Sequence, residues 1–180
     1  MSLKLIETET RRFLATTTPE VLCIRGHWGV GKTYAWRKYL LEAKDDGKLA
    51  HSSYSYVSLF GLNSLDDLRF SIFENTVRTE KIISGPNIAT FHELVSRGIN
   101  AGRQNRNILD LALAMLNRKS ASDILYRTAF MAVRDQLICF DDLERAGNTL
   151  TLRDVLGLAS FLKEQRGCKV AILLNNEKLS

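Results

Sequence analysis

Val21-Leu22-Cys23-Ile24-Arg25 runs straight into Gly26-His27-Trp28-Gly29-Val30-Gly31-Lys32-Thr33, and a helical pattern of Ala35, Trp36, Tyr39, Leu40 and Leu41 follows. No other stretch constrains the fold as tightly. The short apolar run reads as a buried strand. The glycines let successive backbone N–H groups curl around an anion, and the next helix aims its positive end at the same point. Gly26-x-x-x-x-Gly31-Lys32-Thr33 has the spacing in which a lysine reaches the β- and γ-phosphates of a nucleotide and a hydroxyl ligates Mg²⁺. The loop from Gly26 to Thr33 is therefore the candidate nucleotide-binding segment, and Thr33 a candidate metal ligand. Trp28 is expected to pack beneath the loop and stiffen it, with His27 beside it facing solvent.

Leu137-Ile138-Cys139-Phe140-Asp141 supplies a second half. A near-continuous apolar run fits a strand buried on both faces of a parallel sheet. A carboxylate at its C-terminal end lies on the same sheet edge as the phosphate loop. Asp141 is the candidate Mg²⁺ ligand, acting through water. Asp142 is the first candidate to orient or deprotonate the attacking water, with Glu144 the alternative base. Arg145 is a candidate for stabilising transition-state charge, in cis or on a neighbouring subunit. Asn175 or Asn176, at the end of the last strand, is placed to hydrogen-bond the γ-phosphate or the water.

The rest of the chain alternates helix and strand. A first helix with Leu3, Leu5, Ile6, Phe13 and Leu14 is capped by Ser2. Tyr54 to Phe60 alternates as a second strand. Ser64-Leu65-Asp66-Asp67 opens a helix expected to run through about Arg78. Thr151 with Asp154 caps the clearest helix, which Gly167 ends, and Lys169 to Leu174 is a last buried strand. Such alternation predicts an α/β fold, a three-layer core with a mainly parallel sheet flanked by helices. One domain over 1–180 is expected, with a helical insertion at about 81–135. That insertion carries a turn at Ser84-Gly85-Pro86-Asn87 and helices over about 108–117 and 122–134. Because the chain stops just after its last strand, it is expected to be the N-terminal portion of a longer protein, lacking the C-terminal part of the core.

Composition narrows the function classes. With 45% hydrophobic and 25% charged residues the 180-residue chain is ordinary for a globular domain. No apolar run approaches the roughly 20 residues of a membrane span. MSLKLIETETRR has no signal-peptide core, so the expected compartment is the cytoplasm. Cys23, Cys139 and Cys168 each sit in apolar sequence and are expected to be small buried hydrophobes of a reducing compartment. There is no CxxC or HxxxH to suggest zinc. The charge of +5 permits a polyanionic partner. Arg97, Arg103 and Arg106 would be a nucleic-acid footprint, but Phe91 is the main ring among them and a strand-binding groove needs more. The pairs Arg11-Arg12, Arg37-Lys38 and Arg118-Lys119 read as solvated helix faces.

Gly26-x-Trp28-Gly29-x-Gly31-Lys32-Thr33 resembles the phosphate loop of KAP-type P-loop NTPases, and Asp141-Asp142-Leu143-Glu144-Arg145 resembles their D-D-L-D-R segment, with Glu144 in place of Asp. The resemblance covers about Val21 to Asn176. It implies membership of the large class that includes AAA+ and STAND ATPases, with ATP and Mg²⁺ as cofactors. It also implies a strand with a polar sensor, matched here to Asn175 with Asn176 as the competing register, between the two motif strands. Many KAP proteins insert transmembrane helices in this domain; the insertion here is too polar for that. Asp142 stands where vigorous ATPases carry Glu, which suits a slow switch. The resemblance further implies a defence or signalling module acting through a homo-oligomer or a C-terminal effector domain. The guanine-reading Asn-Lys-x-Asp motif is absent, since Asn175-Asn176-Glu177-Lys178 is not it, and this favours ATP. The competing expectations are a nucleic-acid loader or motor and a non-catalytic nucleotide-binding scaffold.

Overall fold

The computed structural model describes residues 3–83 and 130–176. The turn at 84–87, the helix over 108–117, most of that over 122–134, Phe91, Arg97, Arg103, Arg106, Arg118, Lys119, Glu177 and Lys178 lie outside the described residues, as does the expected cap Ser2.

Five strands form one sheet: β1 (Val21–Gly26), β2 (Ser53–Ser58), β3 (Thr76–Arg78), β4 (Leu137–Asp141) and β5 (Lys169–Asn175). Their order is β1-β5-β4-β2-β3. The first four strands in that order are mutually parallel, and only β3 runs antiparallel, against β2. The helices are α1 (Leu3–Ala15), α2 (Lys32–Asp45), α3 (Leu65–Glu74) and α4 (Leu152–Arg166). Among the described residues no helix is long and apolar enough to cross a membrane.

Alternation along each strand sorts the core into two layers. Phe13 and Leu14 of α1 and Trp36, Leu40 and Ala43 of α2 pack with Tyr54, Leu137, Cys139, Ala171 and Leu173 on one face. Leu68, Ile72 and Phe73 of α3 and Val155, Leu158, Ala159 and Leu162 of α4 pack with Val57, Ile138, Phe140, Val170 and Ile172 on the other. The α/β architecture with a mostly parallel sheet flanked by helices is thus observed, and β4 is buried along its whole length as its apolar run requires.

Local capping chemistry fixes the helices where the sequence placed them. Ser64 with Asp67 and Thr151 with Asp154 form reciprocal capping boxes, and Gly167 ends α4 at φ +65°. Two boundaries differ from expectation. The second strand ends at Ser58, not Phe60. Helix α3 ends at Glu74, and Thr76–Arg78, expected to be helical, forms β3 instead. The β-branched pair Thr76-Val77 gains a ladder with Ser55 and Tyr54 there, while Asn75 closes the helix by donating its side-chain amide to the Ser71 carbonyl at 2.8 Å. Cys23 is exposed, contrary to expectation, whereas Cys139 and Cys168 are buried. Leu22 and Ile24 pack with the α1–α2 layer, and Cys23, on the opposite face of the edge strand β1, is exposed. Arg11 and Arg12 are half-exposed and paired, with Glu7 and Glu42 and with Glu9 and Glu20.

Lys169 anchors the far end of β5 with a side chain 0% exposed. Its ammonium donates to the carbonyls of Phe13 and Thr16 and to the Thr16 hydroxyl, and pairs with Glu20 at 3.0 Å. Burial pulls its pKa below the usual lysine value, against the hydrogen bond and charge of Glu20. Lys169→Met fills similar space but leaves two carbonyls without their donor. It is expected to cost about 2–3 kcal/mol and to lower the melting temperature by roughly 5–10 °C. Thermal and urea unfolding of the two proteins check this.

Candidate phosphate and metal site

The parallel strands bring four chain ends to one sheet edge, in the order Gly26, Asn175, Asp141, Ser58. The register pairs Gly26 with Asn175 and Ser58 with Asp141. Ligands of open parallel sheets bind at this edge, where crossovers leave in different directions.

The glycine-rich loop leaves β1 and turns into α2 through Gly29 at φ +76° and Gly31 at φ +85°, a conformation that excludes most side chains. A Cβ on Gly26 would meet Val30 Cγ2 at 3.0 Å, so the loop closes on itself. Gly31 is the N-cap of α2 and no side chain caps it. The first amides of the helix are therefore left for an acceptor from outside. Lys32 folds back over the loop: its ammonium donates to the carbonyls of Gly26 at 3.2 Å and His27 at 2.9 Å, and to the side-chain oxygen of Asn175. The amide nitrogen of Asn175 donates in turn to the Glu144 carboxylate. Lys32, Asn175 and Glu144 form one continuous polar chain across three elements.

Thr33 donates to Asp141 Oδ2 at 2.6 Å. Tyr56 donates to the same oxygen at 2.8 Å, and the backbone N–H of Asp142 donates to Asp141 Oδ1 at 2.9 Å. Asp141 is 6% exposed. Burial first, then the adjacent Asp141 charge, raises the Tyr56 phenol well above its ordinary pKa and keeps it a donor.

Asp142 sits at φ +56°, a left-handed conformation that Asp tolerates. Its carboxylate accepts from Ser58 at 2.7 Å and lies 4.0 Å from Arg145. Backbone bonds from Leu59 to the Asp141 carbonyl at 2.8 Å and from Gly61 to the Arg145 carbonyl at 3.2 Å stitch the turn after β2 to the 3-10 turn Leu143–Arg145. Arg145 lies over the ring of Phe60 at 4.5 Å and that of Trp28 at 5.9 Å.

Of the residues singled out in the sequence, Lys32, Asn175 and Glu144 come together, as do Thr33 and Asp141. Asp142 and Arg145 form a third group at the β2 side. Asn175, rather than Asn176, makes the hydrogen bonds to Lys32 and Glu144. His27 is exposed as expected. Trp28 is 59% exposed rather than packed beneath the loop, with Arg145 over its ring. Tyr56 and Ser58 escaped the sequence reading. Their signal was the period-two spacing of Tyr54, Tyr56 and Ser58, which puts three hydroxyls on one strand face. Among the described residues no three of His, Cys, Asp and Glu converge as a metal cage. A cation shared with phosphates needs only one or two protein oxygens.

Comparison with protein-family models, with curated proteins and with solved structures finds no match, and the chemistry of the site therefore stands on its own residues.

Proposed function

We propose that this chain is an Mg²⁺-dependent ATP-binding protein that hydrolyses ATP slowly and uses the bound nucleotide as a switch. One observation carries the reading. The ammonium of Lys32 hovers over the start of an uncapped helix, tied to Gly26, His27 and Asn175, with a hydroxyl–carboxylate pair on the next residue. A polyphosphate entering there meets loop amides, a helix N-terminus and a cation that exchanges carbonyl partners for charged oxygens.

Thr33 and Asp141 are hard oxygen donors of the kind Mg²⁺ takes together with phosphate and water. When bound, the ion would neutralise charge developing on the phosphoryl oxygens. The polar chain of Lys32, Asn175 and Glu144 supplies the remaining chemistry. Asn175 would sense the γ-phosphate, because that phosphate takes its partner Lys32. Glu144 would accept a proton from the attacking water, whose oxygen bonds the γ-phosphorus as the bond to ADP breaks. Glu144 is preferred over Asp142 as this base because it is linked through Asn175 to Lys32, whereas Asp142 bonds Ser58 on the β2 side.

Kinship with KAP-type NTPases is part of the proposal. It is supported by the loop and the Asp-Asp-Leu-Glu-Arg segment and by β5, with Asn175 at its end, lying between β1 and β4. A role in defence or signalling through an oligomer or effector domain belongs to that kinship and goes no further than it. The contacts of Arg145 with Phe60 and Trp28 give it a resting place within its own chain, from which nucleotide would draw it.

Calorimetric titration with Mg²⁺-ATP, metal-free ATP, ADP and Mg²⁺-GTP tests the proposal. Saturable binding of Mg²⁺-ATP, weaker without metal and weaker for GTP, is expected. A folded protein that binds none of them would refute it.

A further inference from the structure

We propose that Tyr56 is a positioning residue that aims the Asp141 carboxylate at the metal of the nucleotide complex, an inference that rests on the nucleotide-binding reading above. A carboxylate at a strand end has two free torsions, and a hard cation rewards only the orientation in which its oxygens face the site. Three donors remove that freedom. The Asp142 amide holds Oδ1 at 2.9 Å, Thr33 reaches Oδ2 at 2.6 Å, and Tyr56 reaches Oδ2 at 2.8 Å.

These donors are not equivalent. Thr33 belongs to the phosphate loop's helix, and its oxygen is itself a candidate ligand. The Asp142 amide moves with the carboxylate's own backbone. Tyr56 alone of the three comes from a different strand, β2, which is hydrogen-bonded alongside β4 with Ser58 opposite Asp141. A rigid ring on a paired strand is a fixed reference for the carboxylate whatever the loop does. An O–H donor to a carboxylate makes a short, charge-assisted bond.

Tyr54 supplies the internal comparison. It lies two residues earlier on the same strand face and its hydroxyl is also engaged, accepting from Trp36 Nε1 at 2.9 Å. Among the described residues it donates to neither Asp141 nor Asp142. Removing the Tyr54 hydroxyl costs a bond to Trp36 of α2, whereas removing the Tyr56 hydroxyl costs Asp141 its donor from β2.

The test compares wild type, Tyr56→Phe and Tyr54→Phe by calorimetric ATP titration at a series of Mg²⁺ concentrations, with melting curves taken without nucleotide. Tyr56→Phe is expected to bind metal-free ATP like wild type and to need about 10- to 100-fold more Mg²⁺ to reach tight binding. Tyr54→Phe should keep the wild-type Mg²⁺ dependence even if its melting temperature falls. Equal Mg²⁺ dependence in Tyr56→Phe and wild type would overturn the proposal. So would an equal shift in both variants, or a Tyr56→Phe protein that does not fold, since the hydroxyl would then serve the fold. If wild type itself binds ATP without any metal effect, the metal reading of Thr33 and Asp141 fails and this inference with it. If wild type responds to metal and the variants do not differ, only the role of Tyr56 fails.

Discussion

Lys32→Ala is expected to weaken Mg²⁺-ATP binding by between two and three and a half decades while leaving the protein folded. The size follows from the interaction lost. Truncating one partner of a desolvated charge pair removes on the order of 3–5 kcal/mol, and each 1.4 kcal/mol is about a factor of ten. The fold should survive because of where the lysine's present partners lie. His27 is exposed, so water replaces the ammonium at its carbonyl. Asn175 keeps Glu144. The melting temperature without nucleotide should therefore stay within a few degrees of wild type. Lys32→Arg is expected to fail almost as badly, because a planar fork does not fit the space a compact ammonium occupies between two carbonyls and an amide. Titration calorimetry and melting curves on the three proteins decide the matter. Wild-type affinity in Lys32→Ala would refute the phosphate-site reading.

The parts of this molecule that were legible in its sequence are those specified by neighbours along the chain. The turn from β1 through Gly29 and Gly31 into α2 is local, and so are the capping boxes at Ser64 and Thr151. The burial of β4 follows from its uninterrupted apolar run. The parts that were not legible depend on what lies across the sheet. Thr76–Arg78 continues a helical pattern until β2 offers it a ladder. Cys23 looks like core, yet on the edge strand β1 it is exposed. Trp28 has the character of a packing residue, but it stands exposed beneath the Arg145 guanidinium, which a separate segment of chain supplies. The site divides in the same way. Lys32, Thr33 and Asp141 announce themselves by motif. Tyr56 and Ser58 meet Asp141 and Asp142 because the β2–β4 register sets Ser58 opposite Asp141; their period-two spacing puts them on one face but does not fix that register.

The division bears on which carboxylate would serve as base in the proposed hydrolysis. By position in the sequence, Asp142 is the first choice for base, since it directly follows Asp141, the candidate metal ligand. By connection in space, Glu144 is the better one: it accepts from Asn175, which accepts from Lys32, so its carboxylate is coupled to whatever Lys32 holds. Asp142 is turned by its left-handed backbone toward Ser58 and Arg145. Glu144→Gln keeps the shape and an acceptor oxygen for Asn175 but cannot take a proton. It is expected to reduce ATP turnover by about 10²- to 10⁴-fold with Mg²⁺-ATP affinity unchanged within a few-fold, so that the protein accumulates in its ATP-bound state. Asp142→Asn, which still accepts from Ser58, is expected to retain turnover within about ten-fold, because it removes charge beside Arg145 rather than a proton acceptor beside the phosphates. Single-turnover hydrolysis of radiolabelled ATP, measured beside affinity for each variant, separates loss of chemistry from loss of binding. A large loss in Asp142→Asn with near-normal turnover in Glu144→Gln would reverse the assignment and return the base to the residue after Asp141. In that case the bond from Ser58 would have to break on nucleotide binding, and Ser58→Ala would then speed turnover instead of leaving it unchanged.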